Sequence, residues 1–236
     1  MKKLLLILFL TISSTLLAQL PKSLLAPVTK VTEFDDYKGS IYSKINYKES
    51  SVIDEQSGTY TAKLKYNIHN DALEHSSDSE TFEIRKQTTV HARINDSYFY
   101  YCNFKDQYGT PRNGYYILVE LTHKYSIYKK LTLEINHPQE KSTISASSVP
   151  PKPGSLKVIT TYYLEEAGVI VELPKNKKNV LATFSDKEIE LKKYLKKEKI
   201  RFGKEEDLIR FVARYNALKS SDSIPASLLG NILNRN

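Results

Sequence analysis

The sequence predicts an α+β protein, mainly antiparallel β, in which a β-rich body is followed by two C-terminal α-helices. Three observations predict this class. Apolar and polar residues alternate in short runs over residues 34–184, which is the pattern of strands with one face in water. Turn-forming residues separate these runs. Near residue 185 the apolar spacing changes to three and four residues, the period of an α-helix.

The first 18 residues have the pattern of a secretory signal peptide. Lys2 and Lys3 precede an apolar run over residues 4–10, and small residues lead to Ala18. This run is shorter than the ~20 apolar residues that a membrane-spanning helix needs. We therefore predict an exported protein, resident in the periplasm or secreted. No cysteine follows the predicted cleavage site closely, so we expect no lipid anchor.

Composition narrows the partners further. The chain has 236 residues and a net charge of +8, which falls to +6 when Lys2 and Lys3 are removed with the signal. A basic balance favours anionic surfaces, whereas export argues against a nucleic-acid partner.

Cys102 is the only cysteine, so an intrachain disulfide is excluded. Its neighbours Tyr100, Tyr101 and Phe104 indicate a buried thiol rather than a reactive one.

The predicted elements follow one another in order along the chain. Residues 19–33, with Pro21 and Pro27, are expected to form a flexible lead-in to the β-rich region 34–184. The clearest strand covers residues 60–68, where alternation is strict. Further strands are predicted at residues 72–75, 82–84, 90–94, 98–104, 115–121, 125–128 and 131–135.

A segment rich in Ser and Pro, residues 137–154, interrupts this pattern. Serines are typical of flexible segments and the proline cluster is stiff, so we interpret the segment as a loop or linker. Strands are expected to resume at residues 156–164, 169–173 and 180–184.

A helical pair is predicted over residues 185–218, packed on the sheet. Ser185 and Glu188 have the spacing of a capping box, which predicts a helix to about residue 198. Its expected apolar stripe consists of Ile189, Leu191, Tyr194 and Leu195. A second helix is predicted over residues 204–218, with acidic residues in its first turn. Residues 219–236 are expected to form a tail.

Motifs of catalysis, metal binding and cofactor binding are not found. The five histidines have no helical spacing typical of zinc sites, and one cysteine argues against a closed structural zinc site. Two acidic doublets occur, Asp35-Asp36 and Glu165-Glu166. If a doublet lies on a strand, its two side chains point to opposite faces of the sheet, so neither doublet forms a catalytic pair alone. We therefore expect no cofactor and assign no catalytic or metal residue.

A basic cluster is the main regional feature. Residues 187–204 contain eight Lys and Arg against three Glu, a local net charge of +5. The candidate contacts to an anionic membrane surface are Lys192, Lys193, Lys196 and Lys197. The alternative is that these lysines form the ordinary solvent-exposed face of a helix.

The 17 tyrosines of the chain also allow two interpretations. They either fill half-buried strand positions or stack on sugars and peptides.

Several segments of the chain resemble a family of exported, β-rich proteins of flavobacteria and their relatives. The resembling residues are the strand-turn motif KLKYNIHNDALE at 63–74, Tyr162-Tyr163-Leu164, and the ending from Lys192 to Asn216. The resemblance covers about residues 36–218. It implies export and the predicted fold, and it implies no activity because the family has none assigned.

These observations lead to one functional hypothesis and one alternative. The chain is expected to be a non-enzymatic envelope protein that binds another envelope component, a protein or a glycan, through an aromatic or basic surface. The alternative is a secreted or periplasmic hydrolase of a polymeric substrate, with carboxylates contributed by separate strands.

Overall fold

The computed structural model describes residues 20–77, 80–138 and 153–220, together with Leu229. The described part is a mainly antiparallel sheet followed by helices, which confirms the predicted class. Its eleven strands are β1 (Leu25–Pro27), β2 (Lys48–Asp54), β3 (Gly58–Asn67), β4 (Ala72–Ser77), β5 (Glu80–Ile84), β6 (Val90–Ile94), β7 (Ser97–Asp106), β8 (Pro111–Leu121), β9 (Ser126–Asn136), β10 (Ser155–Glu166) and β11 (Val169–Leu173). The helices are α1 (Lys177–Thr183), α2 (Glu188–Lys197) and α3 (Glu205–Ser220).

The strands form one sheet in the order β1-β5-β4-β3-β2-β6-β7-β11-β10-β9-β8, and β8 also pairs with β7. Strands β7 to β11 therefore close into a ring of five. The closing contact is a short parallel pairing of β11 with the end of β7, Val169 with Lys105 and Ile170 with Asp106. The other strand pairs are antiparallel, and β1 to β6 extend the sheet from the ring through the pairing of β6 with β7.

Two hydrophobic clusters hold this sheet and the helices together. The strand cluster joins β2 to β6 with β7 and β8 and includes Leu64, Tyr66 and Phe99. The helix cluster packs the three helices on β9, β10 and β11; its members include Leu164 and Phe211. Both clusters are contiguous groups of buried apolar side chains, the arrangement that supplies most of the driving force for folding.

The structure differs from the sequence prediction in two segments outside the central strands. Residues 19–33 are not wholly a flexible lead-in, because Leu24 is buried and β1 pairs with β5. Residues 180–184 do not form a strand, since they lie in α1 and its C-terminal cap. The reason is that Asn176 caps this helix, and Val180, Leu181 and Phe184 bury one side of it.

The two short strands predicted at residues 125–128 and 131–135 are one strand, β9. Two lysines, Lys129 and Lys130, lie between the two predicted segments. Lys129 reaches Glu205 at 2.8 Å, and Lys130 reaches Asp71 at 3.0 Å. Tertiary ion pairs therefore accommodate the charges within a continuous strand.

The predicted loop at 137–154 connects neighbouring strands. β9 and β10 pair from Asn136 with Ser155 to Ser126 with Glu165, so they form one long hairpin. Residues 139–152 lie outside the described residues, as do the predicted signal peptide at 1–18 and nearly all of the tail beyond Ser220.

Candidate functional site

The four lysines singled out from the sequence lie together on α2. The helix buries Leu191 and Leu195 in the helix cluster, and this fixes which of its sides faces water. Its 3.6-residue repeat directs the lysines away from that buried side. All four are exposed: Lys192, Lys193, Lys196 and Lys197.

None of these four lysines forms an ion pair with any other described residue. Charged residues on and near α3, in contrast, form ion pairs. Arg210 pairs with Asp207 and reaches Glu198 at 3.9 Å, and Glu205 is held by Lys129. The α2 lysines therefore present positive charge that no ion pair with a described residue neutralises.

The positive charge of the chain is concentrated in the helical part. Residues 175–220 contain 14 Lys and Arg and 7 Asp and Glu, a net charge of +7. Residues 20–174 contain 18 Lys and Arg and 19 Asp and Glu, a net charge of −1. The helices thus carry the whole basic excess, and this asymmetry creates a directional field toward anionic partners.

Ile189 does not lie in the buried stripe in which the sequence predicted it. Its side chain is 71% exposed. The helix begins at Glu188, after a single 3₁₀ turn at Ser185–Lys187, rather than at the predicted Ser185 cap. Ile189 precedes Lys192, Lys193 and Lys196 by three, four and seven residues, the spacing of side chains on one helix face. We call Ile189 and the four lysines the basic face.

The position of α2 is fixed by aromatic and apolar packing on its opposite side. Phe184, just before α2, contacts Phe211 and Tyr215 of α3, with ring centroids 5.3 and 4.7 Å apart. Tyr194 donates a hydrogen bond from its hydroxyl to the carbonyl oxygen of Arg210 at 3.4 Å. These contacts hold the helix while the basic face stays in water.

The aromatic side chains form a second cluster, on the concave side of the five-stranded ring. Phe104 of β7 contacts Tyr128 of β9 at 5.3 Å, although β8 lies between their strands. Tyr116 of β8 likewise contacts Tyr163 of β10 at 5.8 Å, across β9. Contacts between strands two places apart require strong curvature toward this side. These tyrosines therefore act as packing residues inside the ring.

Cys102 lies on the same side of β7 as Phe104. Burial raises the pKa of its thiol to about 12, and the nearby Glu165 carboxylate adds to this shift. A thiol with such a pKa is almost wholly protonated at neutral pH, which makes it a poor nucleophile. The cysteine is half-buried and supports the structural interpretation rather than a catalytic one.

Two carboxylates line one cavity of 330 Å³, at the end of the ring near Tyr163. Asp106 and Glu172 are the pair that the hydrolase alternative would use. Partial burial acts to raise the pKa of Asp106, but hydrogen bonds from Thr110, Arg112 and Tyr108 outweigh it and lower that pKa. Asp106 is thus held as an anion by Arg112, which binds it at 2.8 Å, and it lacks the raised pKa of a general acid.

The side chains of Glu165, Glu166 and His91 make local contacts. Glu165 accepts a hydrogen bond from the Gly168 backbone, and Glu166 accepts one from Leu229. His91 stacks on Tyr100 at 4.7 Å, and burial lowers its pKa. Among the described residues no three His, Cys, Asp or Glu side chains converge as a metal site would require.

Comparison with protein-family models, curated proteins and solved structures finds no match to this chain. The resemblance to exported flavobacterial proteins therefore stays a prediction. Within the described residues, no helix has both the length and the hydrophobicity to cross a membrane.

Proposed function

We propose that this chain is an exported protein of the cell envelope that binds an anionic envelope component through the basic face of its helices. The observation that carries the proposal is the unneutralised lysine cluster on α2, in a helical part of net charge +7 on a body of net charge −1. A solvated helix needs no such segregation of charge.

The physical basis is electrostatic attraction in a favourable geometry. Each lysine near an anionic surface contributes about 1 kcal/mol, and the contribution is screened by salt. Four lysines on one face act together because the rigid helix presents them at once. The packed sheet serves as the scaffold that holds this helix.

The test compares two variants with equal loss of charge on a heparin resin, the polyanion used as probe. The helix variant replaces the four exposed lysines of α2 by Gln: Lys192, Lys193, Lys196 and Lys197. The body variant replaces four exposed lysines outside the helices by Gln: Lys30, Lys44, Lys48 and Lys105.

We expect the mature chain and the body variant to elute at similar salt concentrations and the helix variant to elute much earlier. The two variants have the same net charge, so a difference between them reports the position of the charge. Equal elution of the two variants, or no retention of the mature chain, would overturn the proposal.

A further inference from the structure

We infer that the anionic component is a lipid bilayer surface and that Ile189 enters its interfacial region. This inference rests on the proposed function and narrows its partner from any polyanion to lipid headgroups. It comes from the one apolar side chain on the basic face, which a purely electrostatic contact does not use.

The first step of the argument is geometric. Leu191 and Leu195 define the buried side of α2, and Ile189 lies on the opposite side, 71% exposed. Successive residues of a helix are rotated by about 100°, so Ile189 and Leu191 are about 160° apart. The isoleucine is therefore near the centre of the face that points away from the protein.

The second step concerns the neighbours of Ile189. Lys193 and Lys196 lie one turn and two turns along the same face, and Lys192 and Lys197 lie on its two flanks. The result is an apolar side chain in the first turn, beside Glu188 and Glu190, with long cationic side chains following it along the same face. Lysine stems can lie along an apolar surface while their ammonium groups reach the phosphates.

The third step compares the partners that could bind the basic face. A soluble glycan, or a protein segment with only acidic side chains, satisfies the lysines and leaves Ile189 in water. An anionic bilayer satisfies both, because it offers phosphates at its surface and an apolar environment just below them. Charge complementarity together with the central apolar side chain favours the bilayer.

The test uses the natural lack of tryptophan in the chain. Ile189→Trp places a single fluorescent reporter at the centre of the basic face. Ile45→Trp is the matched control, since Ile45 is also an exposed isoleucine, 76% exposed, in the segment before β2. The probes are vesicles of phosphatidylcholine with and without phosphatidylglycerol, and vesicles containing brominated lipid as a quencher.

With anionic vesicles we expect a blue shift of the tryptophan emission of the Ile189→Trp variant and its quenching by brominated lipid. The emission of the Ile45→Trp control should show neither change, and zwitterionic vesicles should change the emission of neither variant. If the Ile189→Trp variant sediments with anionic vesicles while its emission stays that of a tryptophan in water, the insertion of this residue is contradicted.

A second measurement keeps the lipid inference separate from the proposed function. Ile189→Asn should bind anionic vesicles about tenfold more weakly than the mature chain, because it loses part of an isoleucine's transfer free energy. Its elution from heparin should not change. Equal vesicle binding with normal heparin retention would overturn the lipid inference and leave the proposed function standing.

Discussion

Asp71 shows how one residue joins distant parts of this sheet. It lies in the turn between β3 and β4 with a φ of 49°, a backbone region in which Asp is tolerated better than most residues. Its carboxylate accepts hydrogen bonds from the Tyr66 hydroxyl at 2.6 Å, the Tyr115 backbone at 3.1 Å and the Lys130 ammonium at 3.0 Å. One side chain thereby links β3, β8 and β9.

Gly114 makes room for this carboxylate, which yields a first prediction. A Cβ at this position would collide with the Asp71 Oδ2 and the Lys130 Nζ atoms, and the φ of 145° disfavours any side chain. We expect Gly114→Ala to lower the free energy of unfolding by about 2–4 kcal/mol, measured by urea denaturation.

The control is Gly109→Ala. Gly109 also has a positive φ, 80°, but a Cβ there would meet no atom within 4 Å. Its replacement should cost only the backbone strain, about 1 kcal/mol. If the two variants have equal free energies of unfolding, the collision at Gly114 does not affect stability and the proposed role of this glycine is wrong.

At the scale of single residues, the sequence predicted the surroundings of some side chains and not of others. The sequence predicted a buried Cys102, and the structure shows this residue half-buried. The burial of Lys219, 3% exposed, could not be predicted, because its partner Asp186 lies 33 residues earlier and reaches it at 3.2 Å. Ile189 was misplaced because it precedes Leu191 by only two residues, which puts the two side chains about 160° apart around a helix and so on different faces.

At the scale of elements, α1 has a local sequence pattern that favours a strand but is outweighed by a helix cap and by tertiary packing. Its sequence, Lys177–Thr183, includes two β-branched residues, Val180 and Thr183, and precedes Phe184, a pattern that favoured a strand. The Asn176 side chain accepts a hydrogen bond from the Asn179 backbone at 2.8 Å, the contact of a helix N-cap. The cap and the buried side of the helix decide the conformation.

The second prediction removes this cap. Asn176→Ala should lower the free energy of unfolding by about 1 kcal/mol, because a backbone N–H loses its partner. Asn176→Asp should keep most of the stability, since a carboxylate oxygen can accept the same bond. Chemical denaturation of both variants checks this, and an alanine variant as stable as the aspartate variant would exclude a capping role.

The strands were predictable to the extent that their pattern is local. β3, with its strict alternation, was predicted almost to its ends. β2 was not predicted, because its sequence is polar and only Ser50 and Val52 are buried. It owes its place to the pairing with β3 and β6 on its two sides, and such pairing cannot be read from one segment.

At the scale of the whole molecule, the tyrosines give a third prediction, for alkaline pH. Burial raises the pKa of Tyr128 to about 12, and burial together with Glu205 raises that of Tyr162 to about 12, from an ordinary value of 10.0. Between pH 10 and pH 12 the unfolded chain releases protons that the native protein keeps. Stability must therefore fall as pH rises through this window.

The measurement is the urea midpoint as a function of pH. We expect a decline above about pH 10, and a slightly shallower decline for Tyr128→Phe, which removes one of the tyrosine hydroxyl groups whose pKa is raised by burial. A midpoint that stays constant to pH 12 would contradict the buried state of these tyrosines in the native protein.

The separation of charge between body and helices is also a property of the whole chain. The basic cluster was visible in the sequence, because it is contiguous over residues 187–204. The apolar spacing also placed the four lysines across from Leu191 and Leu195, which the structure confirms, whereas the outward position of Ile189 was not predicted. The structure adds the segregation of these lysines, with Ile189, on one exposed surface.

The most direct test of the account measures binding of the mature chain to envelope membranes isolated from the cells that produce it. Sedimentation at low and high salt should show strong, salt-sensitive binding of the mature chain and of the body variant, and little binding of the helix variant. If the helix variant sediments as completely as the body variant, the basic face is not the docking surface.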